Sequence, residues 1–102
     1  MRIISVSTLR EYLAEKNYRL AKPALQSWLS VVRAERWSSH HDMSQIFPSA
    51  DSRPNGRVIF NIMNNKFRLV VYITYEFEIV YIKWFGTHAE YDKIDVDTVG
   101  GT

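Results

Sequence analysis

The sequence has no cysteine. That excludes a disulfide-stapled scaffold, a zinc finger with thiolate ligands and a thiol nucleophile, and it fits a reducing, intracellular compartment. Neither charge sign dominates: thirteen Lys and Arg stand against eleven Asp and Glu, a formal charge of +2. An acidic disordered tail protein and a histone-like polycation are both ruled out by that balance. Long apolar runs are also missing. The longest mostly apolar stretch, Leu69 to Phe85, is broken by Glu76, Glu78 and Lys83, so it does not read as a membrane span. Residues 1–7 hold a short apolar stretch but no signal-peptide core, and the expected address is the cytoplasm. With four glycines and three prolines, no linker or internal repeat is visible.

What is present is enough for a core. Apolar residues make up 46% of the 102 residues and aromatics 14%. A chain of this size buries roughly 60–70% of its unfolded surface and folds without staples. We expect one domain over residues 1–102, with 97–102 as a flexible end. Arg2–Val6 reads as a short strand. Thr8-Leu9-Arg10-Glu11 has the capping-box form, opening a helix with Leu9, Tyr12 and Leu13 on one face that stops near Asn17. A second helix starts near Lys22, where Pro23 suits the first turn, and Leu25, Trp28, Leu29 and Val32 form its apolar stripe. Asp42 with Gln45 resembles the cap of a short turn ended by Pro48. From Arg57 onward the pattern is β: strands over 57–63, 66–75 and 77–85, with Asn64-Asn65 as a two-residue hairpin turn. Thr87 and Glu90 form a second capping box, for a short helix up to Asp95.

Strand alternation then sorts the side chains. One face collects Val58, Phe60, Ile62, Phe67, Leu69, Val71, Ile73, Val80, Ile82 and Trp84. The other collects Arg57, Ile59, Asn61, Lys66, Arg68, Val70, Tyr72, Ile79, Tyr81 and Lys83. The fold class is therefore α+β: the N-terminal helices pack on one face of a curved antiparallel sheet. The second face mixes four cations with two tyrosines and an amide. Taken alone, such residues are ordinary outward strand residues. Combined with aromatics they also suit a phosphate-and-base ligand, because cations hold a backbone and rings stack on unpaired bases. Thr87-His88-Ala89-Glu90-Tyr91-Asp92 adds an imidazole, a carboxylate and a phenol near the end of the strand that carries Lys83.

Arg57-Val58-Ile59-Phe60-Asn61-Ile62, Asn65-Lys66-Phe67-Arg68-Leu69-Val70 and Gly86-Thr87-His88-Ala89-Glu90-Tyr91-Asp92-Lys93-Ile94 together resemble the HigB toxins of type II toxin–antitoxin systems, within the RelE-like group of small endoribonucleases. The resemblance covers nearly the whole chain. It implies the RelE-like ribonuclease toxin fold. It implies cleavage of mRNA, usually during translation on the ribosome, and neutralisation by a HigA-type helix-turn-helix antitoxin. Operator DNA would be reached only through the toxin–antitoxin complex. No cofactor, metal or membrane partner is implied.

Metal-free RNA cleavage uses the ribose 2′-OH as an internal nucleophile. It needs a base for that proton, cations for the phosphorane charge and an acid for the 5′ oxygen. Arg68 is the first candidate for phosphate stabilisation, since a guanidinium grips two oxygens and keeps its charge, and it matches the family's arginine on the central strand. Lys66 supports it. His88 is the candidate acid or base, because an imidazole titrates near neutral pH; packing at the helix start is its competing role. Glu90 and Tyr91 complete the catalytic candidates. Glu90 is equally a capping-box residue, and Tyr91 equally a core anchor. Arg57, Asn61, Tyr81 and Lys83 are the expected RNA contacts. A non-catalytic RNA- or protein-binding module using the same basic face is the alternative, although it would not need His88, Glu90 and Tyr91.

Other features carry less. His40-His41-Asp42 has no second ligand cluster at suitable spacing, so it reads as a solvated loop and not a metal site. No serine sits in a Gly-x-Ser-x-Gly elbow. Trp37, just past the second helix, reads as exposed and as a candidate antitoxin contact. Charge is also segregated. Residues 1–89 carry twelve cations against seven carboxylates, whereas residues 90–102 carry Lys93 against Glu90, Asp92, Asp95 and Asp97. The body is basic and the tail acidic, and a basic body suits an RNA surface.

Overall fold

The period-two pattern after Arg57 yields the strands it implies. The computed structural model describes residues 1–15 and 18–101, the side chain of Glu15 aside. Its elements are β1 (Arg2–Ile4), α1 (Val6–Glu15), a single 3-10 turn (Arg19–Ala21), α2 (Lys22–Ala34), α3 (His40–Ile46), β2 (Asp51–Ser52), β3 (Arg57–Ile62), β4 (Phe67–Thr74), β5 (Ile79–Thr87) and α4 (His88–Tyr91). The expected stop of the first helix at Asn17 falls outside the described residues. One five-stranded sheet has the order β1-β5-β4-β3-β2. β2 to β5 pair antiparallel, as expected, but β1 pairs parallel to β5, with Ile3 opposite Val80. The sheet is therefore mixed, because the chain passes through the helix layer and the three strands β2 to β4 before β5 settles alongside the edge strand β1.

Helix ends depart from the sequence reading in two places. α1 begins at Val6, straight after Ser5 at φ +72°, so Thr8 lies inside the first turn and is not its cap. α3 is capped by Ser39, whose hydroxyl accepts from Asp42 N at 3.3 Å, while the Asp42 carboxylate accepts from Ser38 N at 3.0 Å and Ser38 Oγ at 2.8 Å. The same bonds to Ser38 draw the Asp42 carboxyl below its ordinary value. α2 follows expectation, with Pro23 in the first turn and Leu25, Trp28 and Val32 buried.

The main core lies between the helices and one sheet face. Trp28 meets Phe60 edge-on at 5.3 Å, Phe47 meets Phe60 at 5.0 Å, and Phe67 stacks on Phe85 at 5.3 Å. Trp37 is not exposed: it is 2% accessible and packs edge-on to Phe47.

The largest departure is in β5. Val70 pairs with Trp84 and Val71 with Ile82, which leaves Lys83 as the extra residue of a β-bulge. Alternation inverts across it. Val80 and Ile82 face the helices, but so does Phe85, while Trp84 turns to the opposite face. There it joins Ile59 and Val70 in a second cluster, covered by Tyr91, Ile94, Val96 and Val99. The face read as open is thus partly roofed by the residues after α4.

Residues 97–101, expected to be flexible, lie docked on that face; Thr102 is outside the described residues. Gly100 seats against β5 at φ +76°, where a Cβ would fall 2.2 Å from the Lys83 carbonyl oxygen. Any L-residue there meets both a disfavoured backbone conformation and a backbone clash. Gly100→Ala is therefore expected to cost about 1–3 kcal/mol, read as a lowered urea midpoint.

Candidate functional site

Two local devices assemble one corner of the sheet. The first is the turn between β3 and β4, residues 63–66, longer than the two-residue hairpin expected; Met63 and Asn64 both take positive φ. It brings Lys66 and Arg68 to the sheet end. The second is the start of α4. Thr87 pairs with Phe67 and Gly86 with Arg68, and His88 N donates to Lys66 O at 3.0 Å. The imidazole of His88 thus starts beside the backbone of Lys66, and both side chains are exposed. Asn61 sits opposite Arg68 on β3 and is half-buried.

The expected capping box at Thr87 is complete. Thr87 Oγ1 accepts from Glu90 N at 3.2 Å, and Glu90 Oε1 accepts from Thr87 N at 2.9 Å and Thr87 Oγ1 at 3.0 Å. The Tyr18 hydroxyl also donates to Glu90 Oε1. Burial, and then this bond to Glu90, push the Tyr18 phenol far above its usual range. Among the described residues these donors tie Glu90 Oε1 to the cap and to Tyr18. Tyr18 was missed because nothing local marks it; its partner is 72 residues away.

Arg68 is half-buried. Its Nη1 donates to the carbonyls of Asn65 at 3.3 Å and Phe67 at 3.4 Å, and among the described residues no carboxylate pairs with it. Its guanidinium carbon lies 5.9 Å from the centre of the Tyr91 ring. Tyr91 in turn lies 6.2 Å from Trp84. Burial raises the Tyr91 phenol above its usual value; Asp51 and Asp97 add to this, while Arg53 and Arg68 oppose it. Tyr91 therefore keeps its proton at neutral pH. Gly86 is required at this corner, since a Cβ would fall 2.5 Å from Trp84 Cη2.

Not every expected residue joins this group. Tyr81 and Lys83 lie elsewhere on the face, with Lys83 Nζ 6.0 Å from the Tyr81 ring centre and Tyr81 6.1 Å from Tyr72. They line a groove of about 630 Å³ with Thr74 and the exposed Phe77. Tyr72 is four residues along β4 from Arg68, roughly 13 Å at strand rise. Arg57, expected as an open phosphate contact, is only 4% accessible. Its Nη1 donates to Val96 O at 3.0 Å and Val99 O at 2.6 Å, and its Nη2 to Gly101 O at 2.5 Å. The tail carbonyls occupy the positions a phosphate would take. The sequence carries no mark of this, because the acceptors are backbone atoms.

His40 and Asp42 do not converge: His40 Nδ1 lies 2.9 Å from Ser52 Oγ, and Asp42 is bonded to Ser38. Among the described residues no helix is long and apolar enough to cross a membrane.

An α+β domain with helices on one face and a cationic corner on the other is consistent with the RelE-like toxins. A family model described as HigB toxin, RelE-like toxic component of a toxin–antitoxin system, matches residues 21–94. The chain belongs to the HigB toxin family. It is also similar to the mRNA interferase HigB of Escherichia coli O6:H1 strain CFT073, with 28% identity over 96 residues, 92% of this chain and 91% of that protein.

The tail is held by one more pair. Arg53 grips Asp97 through Nε to Oδ1 at 3.1 Å and Nη2 to Oδ2 at 2.8 Å, and Asn55 adds a bond at 3.3 Å. The Arg53 bond draws the Asp97 carboxyl below its ordinary value. A group lowered in the folded state stabilises above its unfolded value and loses that contribution as pH falls through the folded one. Asp97→Asn should therefore be less stable than the parent at neutral pH. The gap should close as pH drops below the ordinary carboxylate range, as followed by urea unfolding across pH.

Proposed function

We propose that this chain is an mRNA interferase: an endoribonuclease that cleaves mRNA under translation on the ribosome, in the cytoplasm, to inhibit growth, and is held in check by a HigA-type helix-turn-helix antitoxin. Family membership and the relative named an mRNA interferase support the reading. The observation that carries it in this chain is the corner itself: Arg68, with no carboxylate partner among the described residues, near Lys66, His88 and Asn61, with the Tyr91 ring 5.9 Å from its guanidinium carbon.

The chemistry follows from these groups and needs no bound cofactor. RNA lays the scissile phosphate on Arg68, and the guanidinium takes two non-bridging oxygens. The 2′-oxygen attacks phosphorus, its proton leaves to a base, and the P–O5′ bond breaks as that oxygen gains a proton. The products are a 2′,3′-cyclic phosphate and a 5′-hydroxyl. Arg68 and Lys66 balance the charge that builds on the phosphorane. His88 is the group that moves a proton. Tyr91, half-buried and protonated, stacks on a base or gives the proton to O5′. Glu90 acts through the cap, by fixing the start of α4 and so the position of His88. Tyr81 and Lys83 meet RNA away from the cleaved bond, by stacking and charge. Arg57 serves that face indirectly, by holding the tail.

Arg68→Ala is expected to lower cleavage by about 10²–10³. Brief induction in bacteria followed by primer extension on abundant transcripts reads this directly: new 5′ ends with the parent chain, none with the variant. A transcript stripped of its start codon should stay intact if cleavage requires translation. Growth arrest without new ends in either chain would mean a binding module and not a nuclease.

A further inference from the structure

The helix layer has its own concavity, on the side of the sheet away from the tail. A groove of about 430 Å³ runs between α1 and α2. Leu9 and Leu25, each 2% accessible, form its floor, and the half-buried Leu13 and Leu29 its walls. Arg10, Lys22 and Arg33 line it as well, all exposed, and among the described residues no carboxylate does. It shares no residue with the corner around Arg68.

Aliphatic floor and cationic rim together choose the occupant. RNA is disfavoured, because leucines give bases no ring to stack on. A membrane surface is disfavoured, because the apolar part is recessed between two helices and the cations stand above it. A helix fits: its apolar stripe fills the cleft, and acidic residues beside the stripe meet the rim. We infer that the α1–α2 groove is the docking site for an amphipathic helix of the antitoxin, with Asp and Glu flanking its apolar stripe. This rests on the antitoxin part of the function proposed above and is independent of the cleavage part. It places the antitoxin's contact apart from Arg68, so restraint need not involve filling the cleavage corner.

The test uses the full chain with Arg68→Ala, which keeps cells alive, and the antitoxin encoded beside the toxin gene as the probe. Reversing the rim, with Arg10→Glu, Lys22→Glu and Arg33→Glu together, changes only exposed side chains. Fluorescence titration at about 0.1 M salt should show binding at least about tenfold weaker, with the parent's circular dichroism and melting temperature kept. Leu13→Asp should weaken binding too, at both low and high salt. With Arg68 restored, the charge-reversed chain should arrest growth even when the antitoxin is co-expressed. Unchanged affinity in the charge-reversed chain would overturn the inference. So would a loss of RNA cleavage with antitoxin binding intact, which would make the groove an RNA surface. A dimer of the parent chain that the reversal dissociates, with antitoxin affinity unchanged, would assign the groove to a second copy and overturn it equally. Failure of the nuclease reading would leave the titration unaffected, so the two can be told apart.

Discussion

A single unpaired residue in β5 organises both faces of the molecule. Because Lys83 has no partner on β4, Trp84 and Phe85 each face the side opposite to the one plain alternation assigns. Phe85 thereby enters the helix-side core, stacked on Phe67, and Trp84 seeds a second core with Ile59 and Val70. The same shift sets Gly86 opposite Arg68 and Thr87 opposite Phe67, which starts α4 at the sheet corner and brings His88 to Lys66. The bulge also presents the Lys83 carbonyl against which Gly100 seats. Restoring regular pairing would bury Lys83 in the register of Trp84 and pull Trp84 off the tail, so core, corner and tail are linked through one insertion.

The second core accounts for part of the tail's seating on the sheet. Fixing about ten residues costs roughly 1–2 kcal/mol each in backbone freedom, and three partly buried aliphatic side chains recover only about 1.5–3 kcal/mol apiece at best. Ile94, Val96 and Val99 are therefore insufficient alone. Arg57 supplies a fork of donors to three carbonyls that would otherwise lose water without replacement, and Arg53 fixes Asp97 in a bidentate pair. The hydrophobic contact and the polar clamp are each inadequate, and the tail depends on both.

What the sequence made legible is what is encoded locally. The stripe Leu25, Trp28, Val32 with Pro23 marks α2, and Thr87 with Glu90 marks α4, because partners three or four residues apart interact within one turn. The helix-on-sheet class and the cluster of Lys66, Arg68 and His88 follow from strand order and from residues near two strand ends. Non-local features escape that reading. The parallel pairing of β1 depends on where a crossover returns the chain. A bulge leaves no mark in a period-two pattern, so alternation alone puts Trp84 on the helix-side face, whereas it packs with Ile59 and Val70. Arg57 looks like any outward strand cation until backbone carbonyls from residues 96–101 close over it, and Trp37 looks exposed until α3 brings Phe47 against it.

The segregation of charge along the chain has a spatial consequence that the net figure hides. The acidic tail does not trail away from the basic body; it lies over it, pairs one cation and covers another. Asp97 takes Arg53, and the tail's carbonyls take Arg57. Arg68, Lys66 and Lys83 stay free of carboxylate partners among the described residues. A sheet with all its cations open would attract a polyanion everywhere along its length and in no fixed register. With Arg53 paired and Arg57 covered by the tail, the open positive field is left at the corner, beside His88, and at Lys83 further along the face. On this face the distribution of open positive charge depends as much on the cations that the tail covers as on the one that Arg68 presents.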